Sequence, residues 1–109
     1  MTIYKVIICG DTRQAAAKCK LAMTDLFSTF PTIRKTRIVS RNEIVEDFAQ
    51  GQVITRYVSV GSNSLDGLSF DNITIDSTAV TDEHIKELHK VLDILVSSQI
   101  GGHNHAQES

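Results

Sequence analysis

Gly10 closes a short apolar run and opens a polar turn, GDTRQAAA, that leads into a helical pattern. A strand that delivers the chain to a glycine and then to a helix presents backbone amides to an anion, because the first turn of a helix carries unbonded N–H groups. Full phosphate chemistry asks for more. The pattern G-x-x-x-x-G-K-[ST] adds a second glycine for close approach, a lysine for the β- and γ-phosphates and a hydroxyl for magnesium. In register from Gly10 the turn continues through Asp11, Thr12, Arg13 and Gln14, and Ala15, Ala16 and Ala17 stand where the glycine, lysine and hydroxyl residue would be. The backbone frame is therefore expected without the side chains that clamp a triphosphate, and Asp11 puts a negative charge where phosphate would sit. Lys18 and Arg13 flank the turn, but an adjacent helix position points about 100° away, so neither is expected to stand in for the missing lysine.

The remaining chemistry-bearing residues form no second constellation. Asp76 ends an apolar stretch containing Phe70, Ile73 and Ile75 and is the candidate residual acidic site. A lone aspartate at that place either holds a cation or caps the following turn, and capping is the preferred reading. His84 and His89 lie five positions apart, not at the i,i+4 spacing of a helical metal pair, and are read as solvent-exposed. His103 and His105 sit in a polar tail, and Ser59, Ser62 and Ser64 have no histidine and aspartate pattern to activate them. Cys9 and Cys19 lack the paired spacing of a zinc or redox motif and read as buried free thiols of a reducing compartment. No metal and no cofactor is expected. Arg34, Lys35, Arg37 and Arg41 form the candidate basic patch, which is either a local nucleic-acid contact or the solvated end of a helix and strand. A formal net charge of −2 supplies no overall positive field for nucleic acid or an anionic membrane.

These residues need a scaffold, and 109 residues suffice for one domain with one core. A hydrophobic fraction of 41% with 22% charged residues is ordinary for a globular chain and excludes a mainly disordered one. Ile3 to Cys9 is rich in β-branched residues and reads as a strand buried on both faces. The helix after it is capped by Thr12 or Asp11, shows Ala16, Cys19, Met23, Leu26, Phe27 and Phe30 at helical spacing, and stops at Phe30 or before, ahead of Pro31. Arg37 to Ser40 reads as a second strand. Ile44 to Phe48 and the alternation from Val53 to Val60 form a hairpin around Gln50 and Gly51. Gly61 to Gly67 reads as a polar loop, and the stretch ending at Asp76 as a further strand. Thr81 opens the last helix, with Ile85, Leu88, Val91, Leu92, Leu95 and Val96 on one face. The expected architecture is α/β, a single compact domain over residues 1–100 with a mixed, mostly parallel sheet flanked by helices, followed by a flexible tail over 101–109. The N-terminal MTIYKVIICG lacks the flanks of a signal peptide and no apolar run reaches membrane-spanning length, so a cytoplasmic location is expected.

SNSLDGLSFDNITIDSTAVTDEHIKEL resembles the segment of helicase-like and viral terminase ATPases that runs from a polar loop, through a Gly-Leu-x-Phe-Asp turn, into a strand with an acidic end. NEIVEDFAQGQVITRYVSVGS is similar to the hairpin that leads back into the sheet in that family, so the resemblance covers about residues 3–96 in order. It implies a truncated P-loop core in which Asp76 stands at the magnesium aspartate and Ser77 replaces the glutamate that orients water. With Ala15, Ala16 and Ala17 in the loop as well, the resemblance implies loss of catalysis. The expected function is a non-catalytic interaction protein of viral origin that oligomerises or docks to a motor or nucleic-acid enzyme. The alternative is a Rossmann-like domain that holds a nucleotide or small phosphate on Gly10, Thr12 and the first helix turn.

Overall fold

The computed structural model describes residues 1–61 and 70–93. Strand β1, Thr2–Cys9, is an inner strand of the sheet, paired on both sides. Its β-branched run buries Val6 and Ile8 toward one face and Cys9 toward the other. A side chain such as Ile8, fully buried, contributes on the order of 1.5–3 kcal/mol. Helix α1, Thr12–Thr29, follows after a single turn. Asp11 is its cap, and inward positions Ala15, Cys19 and Met23 recur every four residues. The helix ends before Pro31 with Phe30 as the C-cap residue. Phe27 and Phe30, expected on the buried stripe, are exposed instead; Leu26 packs there as expected, joined by Ala22.

Strand β2 spans Arg34–Ile38, earlier than the expected Arg37 to Ser40, because residues 39–41 form a 3-10 turn. Asn42, in the left-handed region with φ 48°, redirects the chain into β3, Glu43–Phe48. That segment is a strand, and it pairs with β4, Gly51–Ser59, as an antiparallel hairpin with Phe48 opposite Gly51. Gly51 has φ 149°, and a Cβ there would overlap the Met1 carbonyl, so glycine is required on both counts. Strand β5, Asn72–Ile75, leads through a 3-10 turn, Ser77–Ala79, to helix α2 at residues 85–93.

The five strands run in the order β2-β3-β4-β1-β5. β1 is parallel to both neighbours, with Cys9 opposite Ser59 and Ile8 opposite Ile75, while β2, β3 and β4 form an antiparallel flank. The architecture is a mixed α/β sheet with a parallel centre and a helix on each face. Alternation along β4 sends Tyr57 under α1 with Cys9, Cys19 and Ile44, and Val58 under α2 with Val6, Ile8, Leu88 and Val91. Leu95, Val96, most of the expected 61–67 loop and the tail at 101–109 lie outside the described residues.

Candidate functional site

β1 turns through Gly10 to α1 on one face, and β4 continues through Val60 into the cluster on the other. Two adjacent parallel strands whose continuations part in this way leave a crevice at their carboxyl ends, the usual ligand position of open α/β sheets. Gly10, Asp11 and Thr12 line that crevice together with Ser59, His84 and Glu87. The space measures ≈ 300 Å³.

Within it, three of the amides that would surround a phosphate, those of Gly10, Asp11 and Gln14, are already engaged. The Gly10 N–H donates to Thr78 Oγ1 at 3.1 Å, and the Asp11 N–H donates to Gln14 Oε1 at 3.0 Å. The Gln14 N–H donates back to Asp11 Oδ1 at 2.8 Å, completing a capping box. The sequence left the cap open between Thr12 and Asp11; the aspartate takes it, placing its carboxylate on the Gln14 amide of the first turn. Arg13, Ala16 and Ala17 continue the helix, with Ala15 buried against the sheet.

Asp76 lies beside this turn because β5 pairs with β1, and the Asp76 N–H donates to the Ile8 carbonyl at 2.8 Å. Its Oδ2 accepts from the Thr78 hydroxyl at 2.5 Å and from the Thr78 N–H at 3.1 Å, so it caps the 3-10 turn. Lys18 Nζ stands 3.6 Å from Asp76 Oδ1. Burial of Asp76 pushes its pKa up, but the two hydrogen bonds from Thr78 and the Lys18 charge outweigh that, leaving the carboxyl below its ordinary value. The sequence reading set Lys18 aside because it does not face the loop. It faces the neighbouring strand end instead, and one turn of helix beyond Gln14 brings it to the aspartate.

Thr78 is the site residue that sequence reasoning missed, and Lys18 the one it weighed only against the loop. Thr78 joins Gly10 to Asp76 through its hydroxyl, a contact that depends on the pairing of β1 with β5. His84 is also placed differently from expectation, half-buried with its ring against Gly10, whereas His89 is exposed. Among the described residues no group of three or more His, Cys, Asp or Glu side chains is arranged to hold a metal ion. Ser62, Ser64, His103 and His105 lie outside the described residues.

The four-cation cluster does not form a patch. Since β2 begins at Arg34, alternation splits Arg34 from Lys35 and Arg37 across the sheet. Lys35 is buried and its Nζ donates to the Leu26 and Phe30 carbonyls, closing the C-terminal end of α1, with the Phe27 ring 5.0 Å away. Arg34 reaches Asp47 at 3.9 Å, and Arg41 reaches Glu43 at 4.0 Å. Arg37 Nε is buried without a hydrogen-bond partner among the described residues.

Arg41 instead joins Arg56 in lining a second pocket of ≈ 200 Å³, bordered also by Thr12, Ser40, Asn42 and Ser59. Thr12 and Ser59 border both spaces, and Arg41 and Arg56 also line, with Glu43, a further pocket of ≈ 360 Å³ that includes Tyr4 and Val6 of β1. In comparisons with protein-family models, curated proteins and solved structures, no match to this chain was found. Among the described residues no helix is long and apolar enough to cross a membrane.

Proposed function

We propose that this chain is a non-catalytic accessory domain that acts through protein contacts, on the degenerate ATPase-like frame that its sequence resembles. The observation that carries the reading is the Gly10 N–H bound by Thr78 Oγ1 beside an Asp11 carboxylate that caps α1. A triphosphate arriving at this turn meets an engaged amide, a like charge, and alanines at the clamp positions. For the same reason, the turn is a poor holder of a nucleotide by amides alone. Support for protein contact comes from β5, the last strand in the sheet order among the described residues. Its outer residues Thr74 and Ile75 are exposed, and an open strand edge is a template for pairing with another chain. A second copy, or a packaging- or helicase-type motor as the resemblance implies, is the proposed partner.

Light scattering after size exclusion tests the oligomer arm, with Thr74→Lys and Ile75→Lys as edge variants. An oligomer in the parent chain that the variants dissolve supports the reading; a parent that runs as a strict monomer removes homo-oligomerisation. Phosphate release from ATP, measured with and without nucleic acid, tests the catalytic part. Release above background that disappears in Asp76→Ala would overturn a non-catalytic role.

A further inference from the structure

The two edges of the sheet are defended differently. β2, at one edge, reads RKTRI, and its Arg34 side chain is 84% exposed. Charged side chains on an edge strand discourage pairing with another chain. β5, at the other edge among the described residues, reads NITI and carries no charge. The carboxylates that flank it are turned inward: Asp71 Oδ2 accepts the Tyr4 N–H at 2.8 Å, and Asp76 is held by Thr78 and Lys18.

The main-chain groups that β5 offers at this edge follow from the ladder. The Val60 N–H donates to the Cys9 carbonyl and the Asp76 N–H to the Ile8 carbonyl, so Cys9 faces β4 and Ile8 faces β5. Successive residues of a strand turn their polar groups to opposite sides, so Val6 serves β5 together with Ile8. In the parallel register Val6–Ile73 and Ile8–Ile75, the residue that bonds to both of them is Thr74. The N–H and C=O of Ile73 and Ile75 therefore point outward, and among the described residues no strand pairs with them. Both isoleucine side chains stand on the α2 face. There Ile73 packs against the cluster of Val6, Ile8, Leu88 and Val91, while Ile75 is 39% exposed.

From this we propose that β5 pairs with β5 of a second copy, antiparallel about a two-fold axis through Thr74. The inference rests on the protein-contact reading above and commits it to one partner and one register. Ile73 lies opposite Ile75 of the second copy and Ile75 opposite its Ile73, each pair exchanging both N–H···O bonds. The outward groups of both strands are thereby satisfied, and a row of isoleucines extends the α2-side cluster across the axis. On the other face Thr74 meets Thr74 of the second copy as a close, non-hydrogen-bonded pair, a favourable cross-strand combination. The edge is self-complementary because its outward residues are identical and lie symmetrically about Thr74, which is what an isologous interface requires.

Sedimentation velocity of the full chain measures the dimer, and disulfide formation measures the register. Thr74→Cys places two thiols across the axis at a Cα separation of about 4.5 Å, within the range of a disulfide. Asn72→Cys is displaced along the strand from its own mate by about 13 Å, which is out of range. Cys9 and Cys19 are buried and do not compete. With oxidised glutathione, Thr74→Cys should form a linked dimer at least tenfold faster than Asn72→Cys. Ile75→Pro deletes an outward N–H without touching the ladder to β1, so it should raise the dimer dissociation constant at least tenfold with the circular dichroism spectrum retained. A parent chain that stays monomeric at the highest concentration reached overturns the proposal, while docking to a different protein is scored separately by its own complex. A dimer in which both cysteine variants link equally fast, or which Ile75→Pro leaves unchanged, overturns this pairing and moves the protein contact to another surface.

Discussion

Lys18 Nζ lies 3.6 Å from Asp76 Oδ1, a contact between the inner side of α1 and the end of a strand that enters the sheet near the other end of the chain. The pair ties the first helix to β5, and Thr78 extends the tie to the Gly10 amide. The two partners differ in what they contribute. Lys18 is 44% exposed, so its ion pair is screened and Lys18→Gln should cost less than about 1 kcal/mol. Asp76→Ala also removes the cap of the 3-10 turn and the acceptor of the Thr78 hydroxyl, and should cost about 1–2 kcal/mol. Urea unfolding of the two variants checks the order; equal losses would mean that the aspartate acts only through the lysine.

The same network predicts an acid dependence. The carboxyl of Asp76 is held below its ordinary value in the folded state, so the unfolded chain takes up the proton first as pH falls. Its stabilisation is complete above the unfolded carboxylate pKa, about 3.9, and is lost as pH drops through the lower folded value. Unfolding free energy measured from neutral pH downward should fall less steeply in Asp76→Asn than in the parent chain below pH ~4. Parallel acid limbs in the two proteins would contradict this.

Gly10 is predicted to be irreplaceable for packing reasons rather than for ligand binding. A Cβ at this position would overlap Gln14 Oε1 and the Thr78 carbonyl oxygen. The glutamine can swing away only by breaking the capping box, and the carbonyl is main chain. Gly10→Ala should therefore destabilise by about 1–3 kcal/mol, as overpacked sites do. At 4–8 °C per kcal/mol for a small domain, that corresponds to a melting-temperature drop of roughly 4 °C or more. An unchanged melting temperature would show that the turn opens without cost.

Lys35 gives the sharpest contrast with its neighbour in sequence. Lys35→Met leaves the Leu26 and Phe30 carbonyls without their ammonium donor inside a buried contact, an expected loss of about 1–3 kcal/mol. Arg34→Gln, on a side chain 84% exposed, should stay within about 0.5 kcal/mol. Thermal denaturation of the two variants side by side measures the difference. Similar effects would restore the reading of the two residues as members of one solvated cluster.

That contrast shows where the sequence is legible and where it stops. β1 could be read because a strand buried on both faces is a continuous apolar run, and α1 because its inward positions recur at helical spacing between a cap and Pro31. The hairpin of β3 and β4 followed from alternation around Gly51. The basic cluster was misread because a charge count is blind to face: starting β2 at Arg34 rather than Arg37 puts Lys35 under α1. Lys18 and Thr78 were illegible for a different reason. Their roles depend on β5 lying beside β1, a non-local pairing that no spacing within either segment encodes.

Cys9 and Cys19 are both completely buried in the cluster beneath α1, and burial is the main cause that pushes the Cys9 thiol up to about 11, with the Asp76 charge adding to it. The thiolate is the reactive form, so raising the pKa and excluding reagent act in the same direction. Under native conditions at pH 8, both thiols should resist a soluble disulfide reagent, and both should react promptly once the chain is unfolded in guanidinium chloride. The rate of native-state labelling then reports opening of the α1 face. It should rise in Lys35→Met, which loosens the C-terminal end of that helix, and stay unchanged in Arg34→Gln. Rapid labelling of the parent chain would mean that α1 does not seal the sheet, and the burial argument for Ala15, Cys19 and Met23 would fail with it.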